Sequence, residues 1–213
     1  MEKTLLQLRD EARRCRNCPL WANATQTVFG AGDPHARVML VGEQPGDEED
    51  RKGLPFVGPA GRLLDRALEA AGVNREEVYI TNAVKHFKWQ LRGKRRLHKT
   101  PAQREIDACH LWIEGEIRAI QPAIIVCLGA TAAKALLGRD FKVTASRGKF
   151  VENAYAPYAF ATFHPSALLR LRDETERKTA FEQLVGDLSL IPRALRKASA
   201  GPPPRRAGAS ARR

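Results

Sequence analysis

Three polar residues stand where apolar runs end. Glu43 lies in the turn Gly42-Glu43-Gln44-Pro45-Gly46 that follows Val38–Val41. Asn82 follows Val78–Thr81, and His164 follows Tyr158–Phe163. In an open α/β sheet, side chains at the carboxyl ends of parallel strands gather along one edge, where ligands bind. A carboxylate, an amide and an imidazole gathered there could perform acid–base and hydrogen-bonding chemistry on a bound molecule. Singly, each has a plainer reading. Glu43 opens an acidic stretch that continues through Asp47, Glu48, Glu49 and Asp50, and a lone histidine after a strand is more often structural.

Two further constellations bear on chemistry. Cys15 and Cys18 form C-x2-C in the Arg-rich setting RRCRNCPLW, with Cys109 and Cys127 far downstream. Four thiolates suit zinc or an iron–sulfur cluster, and their spacing does not choose between them. Cys109 and Cys127 also fit as ordinary buried residues of a helix and a strand. Residues 83–101, AVKHFKWQLRGKRRLHKTP, alternate cations with aromatics or histidines, and 85–99 hold seven Lys or Arg and no acid. This is too polar for a buried strand and contains Gly93, which predicts a long loop over the sheet edge. Such a loop can neutralise phosphates and pack against bases; equally, it can be a solvated charge run with Phe87 and Trp89 tucked beneath it.

The elements that would hold these residues alternate. A moderate helix pattern covers 3–14, and 20–36 lack periodicity. Strands are predicted at Arg37–Val41, Val78–Thr81, Ala123–Leu128 and Tyr158–Phe163. Helices are predicted over 61–71, stopped by Gly72, and from a Thr100-Pro101 cap through Ile120 with Ile106, Cys109, Ile113 and Ile117 inward. Another runs from 129–131 to Leu137, and a closing helix covers 174–190. Residues 141–151 read as extended, pairing with 158–163. The fold class that follows is α/β: three α/β/α layers around a central, mainly parallel four-stranded sheet.

The chain has 213 residues and a formal net charge of +12, unevenly placed. Residues 193–213 carry seven Arg or Lys and no acid, so 1–192 carry +5. The domain is expected over 1–192, followed by a basic, Pro/Ala/Arg-rich disordered tail at 193–213. No run approaches the ~18 apolar residues that span a bilayer, and the N-terminus has no secretory h-region. A soluble, intracellular protein that meets nucleic acid rather than membrane is the expectation.

Several ordered blocks then resemble one family. C-x2-C near the N-terminus, GEQPGDEED at 42–50, PFVGPAG at 55–61, TNAVK at 81–85 and HPSALLR at 164–170 are similar to the iron–sulfur family 4 group of uracil-DNA glycosylases. Within it, GEQPG and the insertion KRRLHKTP at 94–101 resemble the X-type enzymes, which become covalently attached to DNA at uracil sites.

The resemblance implies a 4Fe-4S cluster on Cys15, Cys18, Cys109 and Cys127. It implies that Phe56 stacks on a flipped uracil, Asn82 reads its edge beside Gln44, and His164 donates to its O2. His98 becomes the nucleophile at deoxyribose C1′, oriented by Glu43. Lys94, Arg95, Arg96, Lys99, Ser166, Leu168 and Arg170 are the expected DNA contacts, with Leu168 and Leu169 as candidate wedges. Uracil-containing DNA, single- or double-stranded, is the implied partner and free uracil a product, for a monomer in the bacterial cytoplasm. An ordinary family 4 glycosylase using water, and a non-catalytic uracil-DNA-binding module, are the competing expectations.

Overall fold

The computed structural model describes residues 3–199. Four apolar segments, β1 (Val38–Gly42), β2 (Val78–Asn82), β5 (Ile124–Leu128) and β6 (Tyr158–Thr162), form one sheet in the order β2-β1-β5-β6, all parallel. Nineteen of its twenty residues are buried, Tyr158 alone being half-exposed, as a sheet covered on both faces requires. Alternate side chains feed two cores. Leu40, Ile80, Val126 and Phe160 meet α3 (Pro59–Ala70), α8 (Glu174–Leu188) and α9 (Leu190–Ser199) on one face. Met39, Tyr79, Ile125 and Cys127 meet α4 (Gln103–Ile120) and α5 (Ala130–Leu136) on the other. The expected three-layer fold is therefore present. Its register aligns Gly42 with Asn82 and Leu128 with Thr162, so the four carboxyl ends are flush.

Several local expectations are corrected. The stretch 89–98 is an antiparallel hairpin, β3 (Trp89–Arg92) and β4 (Arg95–His98), turning at Gly93 with φ +60°. The acidic residues after Gly46 form a short helix, α2 (Asp47–Lys52). Helix α4 begins at Gln103, not at Thr100-Pro101: Glu105 accepts the Ala102 N–H at 2.6 Å and closes its first turn. Residues 143–146 are helical (α6), and the stretch reaches the last strand through the Gly148 N–H to Ala161 O and the Val151 N–H to Ala159 O, both at 2.9 Å. The boundary at 193 falls inside α9, whose Ile191 and Ala194 are buried, so 193–199 are ordered; the remainder of the expected tail, 200–213, lies outside the described residues. Among the described residues, no helix is long and apolar enough to cross a membrane.

Candidate active site

The flush strand ends open into a cavity of about 320 Å³ lined by Glu43, Gln44, Phe56, Asn82, His98, His164, Ser166 and Arg170, among others. Six separate stretches of the chain contribute, so convergence is a property of the topology rather than of any one loop. Its floor depends on two glycines. At Gly42 a Cβ would lie 2.4 Å from Asn82 Oδ1 and 2.6 Å from Phe56 Cζ; at Gly61 it would lie 1.7 Å from the Phe56 carbonyl oxygen. Phe56 itself has φ +55°, a left-handed conformation that costs about 1–3 kcal/mol in a non-glycine residue. Glu49 holds this bend by accepting the N–H groups of Gly46 (3.0 Å) and Gly58 (2.7 Å). The ring so placed is nearly buried and stands 5.8 Å, centroid to centroid, from His164.

Asn82 is 2% exposed, and its Oδ1 has no partner. An orphaned buried acceptor is costly unless a ligand supplies the donor. The position is rigid: the buried Lys85 ammonium bonds the Asn82 carbonyl (2.8 Å), Thr81 Oγ1 (2.6 Å) and Glu116 (2.5 Å), while Glu116 also accepts from Tyr79 and Gly30. Lys85 thus serves the interior, not a phosphate. His164 receives the Ser166 N–H on Nδ1 at 3.1 Å, with Ser166 Oγ at 2.8 Å. Nδ1 is an acceptor, so the neutral ring carries its proton on Nε2. Burial pulls the His164 pKa down to about 4, against the attraction of Glu43. The site therefore presents a neutral N–H donor.

Glu43 and His98 meet: His98 Nε2 is 3.1 Å from Glu43 Oε1, and the Thr131 hydroxyl donates to Oε2. Burial pushes the Glu43 carboxyl up, but His98, Thr131 and His164 outweigh it and hold the group below its ordinary range. Thr131 carried no expectation from the sequence. Its signal was present, a polar residue just beyond a buried strand.

The hairpin carrying His98 is anchored by residues expected elsewhere. Gln44 does not face a ligand with a free amide. Its Nε2 donates to the carbonyls of Lys88 (3.3 Å) and Lys99 (3.0 Å), and its Oε1 accepts the Lys88 N–H at 3.0 Å. These residues flank the Trp89–His98 pair at the hairpin root. Arg96, expected on DNA, points inward: it donates to Asp47 (2.5 Å) and Asp50 (2.7 Å) and lies over the rings of Phe87 and Trp89. Those aromatics support the hairpin rather than stand free for bases, Phe87 being buried and Trp89 bonded to Asn23 O at 2.9 Å. Lys94, Arg95 and Lys99 are exposed and, among the described residues, pair with no acid.

Gln44→Ala is expected to release the root. Three bonds of about 1 kcal/mol each should translate into at least tenfold faster deuterium exchange of the Lys88 amide, with exchange in β2 unchanged.

Beyond His164, Leu168 is 1% exposed within the core; Leu169, at 44%, takes the outward position expected of a wedge. Ser166 is spent in part on orienting His164, and Arg170 is exposed at the cavity rim.

The cysteines divide. Cys15, Cys18 and Cys109 share one hydrophobic cluster and influence one another electrostatically. Trp112 Nε1 donates to Cys15 Sγ and Lys85 N to Cys109 Sγ, both at 3.2 Å. Cys127 lies on central strand β5 in the opposite core and responds to burial alone; its place among the ligands is a correction. His86, by contrast, is 4% exposed with an unpartnered Nδ1, while Nε2 meets Thr27 Oγ1 at 2.9 Å. It immediately follows Lys85, whose N–H reaches Cys109. Among the described residues no three ligating side chains are drawn into a metal-holding group.

Comparison with known proteins agrees with this geometry. Residues 29–189 match the family model described as the uracil DNA glycosylase superfamily. A type-4 uracil-DNA glycosylase of Thermotoga maritima is 38% identical over 183 residues, covering 85% of this chain and 92% of that protein. A type-4 enzyme of Sulfurisphaera tokodaii is 37% identical, covering 78% and 76%. A type-5 uracil-DNA glycosylase of Pyrobaculum aerophilum is 30% identical, covering 77% and 76%. With a flush parallel sheet, a carboxylate, amide and histidine at its edge, and relatives aligned across most of both chains, this protein belongs to the uracil DNA glycosylase superfamily.

Proposed function

We propose that this protein is a uracil-DNA glycosylase that excises uracil from DNA and then becomes covalently attached, through His98, to C1′ of the resulting abasic sugar. Uracil excision is supported by the family and by the type-4 relatives. The attachment rests on one observation, the 3.1 Å approach of His98 to Glu43 on a hairpin anchored by Gln44 and Arg96.

The flipped base enters the cavity and lies against Phe56. Asn82 Oδ1 takes the uracil N3–H, ending its orphaned state, and the amide nitrogen faces O4. Cytosine offers no N3–H and a donor at position 4, so both contacts mismatch. As the C1′–N1 bond breaks, its electron pair leaves with the base. His164 Nε2–H strengthens its bond to O2 as that charge develops, which favours the transition state over the ground state. Ionised Glu43 stabilises the sugar cation. A ring nitrogen of neutral His98 then donates its lone pair to C1′, and Glu43 is the nearest acceptor for the ring proton the imidazolium sheds. The neutral, sugar-substituted imidazole is a poor leaving group, so the bond persists. Lys94, Arg95, Lys99 and Arg170 supply phosphate contacts, which predicts salt-dependent binding.

The second reading is a type-4 glycosylase in which Glu43 directs water and His98 only touches DNA; the names of the relatives favour it. A denaturing gel with uracil-containing single-stranded DNA separates them. A shifted, denaturation-resistant band selects covalent attachment, and an abasic product without that band selects water.

A 4Fe-4S cluster is assigned to Cys15, Cys18 and Cys109, which share one cluster of side chains and of which Cys15 and Cys109 already receive N–H donors on sulfur, with the free Nδ1 of buried His86 as the fourth ligand. Bound there, it would staple the N-terminal segment to α4 and the hairpin root, a structural contribution apart from the glycosidic bond. Cys18→Ser and His86→Ala are expected to lower iron content and soluble yield, whereas Cys127→Ala should keep its iron. Iron lost from Cys127→Ala and retained by His86→Ala would reverse the assignment.

A further inference from the structure

We infer that Thr131 is a positioning residue, the anchor that holds Glu43 against His98. The inference rests on the reading of Glu43 as an ionised carboxylate acting beside the sugar. Glu43 sits in the turn between β1 and α2, where the Val84 N–H donates to its carbonyl at 3.0 Å; that bond fixes the backbone but leaves the side chain to be held by other groups. The fixing comes from across the cavity. Thr131 Oγ1 donates to Oε2 while His98 Nε2 approaches Oε1, one partner for each oxygen. A hydroxyl facing an ionised carboxylate can only donate, so this contact favours the charged form and one rotamer.

Thr131 is suited to that work. It is 8% exposed and lies in the first turn of α5, one residue beyond the Gly129-Ala130 link to β5. β5 is paired on both sides, with β1 and with β6, and is fully buried. The anchor thus hangs from an interior strand, whereas His98 arrives on a two-stranded hairpin at the margin. Three groups face Glu43: His98 from β4, His164 from the end of β6, and Thr131 from α5, with Arg170 acting on His164 from beyond. Thr131 has no ionisable group, so its bond to Glu43 does not depend on its own protonation.

The sign follows. The Glu43 carboxyl lies below its ordinary range, and the Thr131 bond is one cause. Removing that bond raises the carboxyl, so protonation overtakes it at a higher pH on the way down. The acid limb of any step needing ionised Glu43 moves upward.

The test is single-turnover adduct formation and uracil release between about pH 5 and pH 8, for wild type, Thr131→Val and Thr131→Ser. Valine keeps the shape and lacks the donor; serine keeps the donor. Thr131→Val is expected to be about tenfold slower near pH 5, with the gap narrowing by pH 8, and Thr131→Ser to follow the wild-type limb, since a hydrogen bond to a charged group is being removed and restored. A Thr131→Val limb that superimposes on wild type overturns the inference, as does a serine variant shifted as far as the valine. Should the valine variant fail to fold, Thr131→Ala takes the same comparison. If wild type forms no adduct, covalent attachment fails as a reading, but the limb is still read from uracil release; the two failures are therefore separate.

Discussion

His98→Ala is expected to abolish the denaturation-resistant adduct with uracil-containing DNA while leaving uracil release within about tenfold of wild type. The division follows from where His98 stands. In the proposed mechanism the base departs through Asn82 and His164 at the sheet edge and Phe56 in the loop before α3, none of which touches the hairpin through a hydrogen bond, and His98 then acts on the sugar cation they leave. Alanine leaves space beside Glu43 Oε1, the oxygen His98 had faced. A water there is oriented by the same carboxylate, and the variant should turn over, forming abasic product catalytically. His98→Ser is expected to behave alike. A His98→Ala protein that cross-links as well as wild type removes the nucleophile assignment. One that loses release and adduct together would place His98 before bond cleavage.

The parts of this site that were legible in the sequence sit at the ends of buried strands. Val38–Val41, Val78–Thr81 and Tyr158–Phe163 are apolar enough that the polar residue after each must lie at an edge, and parallel pairing puts the edges side by side. Margin elements lack such a signal. In the hairpin, Leu91 is exposed while Arg96 is half-buried, the reverse of what hydrophobicity alone suggests. Arg96 is drawn in by Asp47 and Asp50, on a helix that itself reads as an acidic loop until those carboxylates have a partner. Each segment makes sense only with the other present, and no local pattern carries that. The second role of Gln44 is hidden for a related reason. An amide beside a catalytic carboxylate suggests a substrate reader, whereas its atoms are taken by backbone groups 44 and 55 positions away. Four cysteines invite a four-cysteine site, and sequence alone does not tell that Cys127 lies in a different core from the other three. The register of β5 turns Cys127 toward the core with Ala132 and Ala133. The tail boundary expected at 193 is a further error of the same kind: α9 is basic and small in composition, yet Ile191 and Ala194 give it a face to bury.

His164→Ala is expected to show the opposite signature from His98→Ala. Losing one preorganised donor to a developing oxyanion lowers the chemical step by about 10²–10³-fold. Capture by His98 follows base departure, so adduct formation should fall by the same factor and the ratio of adduct to released uracil should stay near wild type. Only a group that acts before the sugar cation exists can lower both equally; a group that acts after it changes the ratio. The protonation state makes His164 fit the first role. A cationic histidine would hold a desolvated charge in the ground state, whereas the neutral Nε2–H, fixed by the Ser166 N–H on Nδ1, has its interaction grow mainly as charge arrives on O2. The pH dependence gives the sign a check. The folded pKa, about 4, is below the ordinary 6.5, so the neutral donor persists down to about pH 4. The same depression means the unfolded chain binds the proton more readily. The stability tied to His164 is complete above the ordinary value and is lost as pH falls from there toward about 4. Nuclear magnetic resonance titration of the His164 ring should find it neutral at pH 5.5, under conditions where uracil release still proceeds. A ring that titrates near 6.5, with release falling alongside it, would show instead that the donor is a cation and that burial does not set its charge.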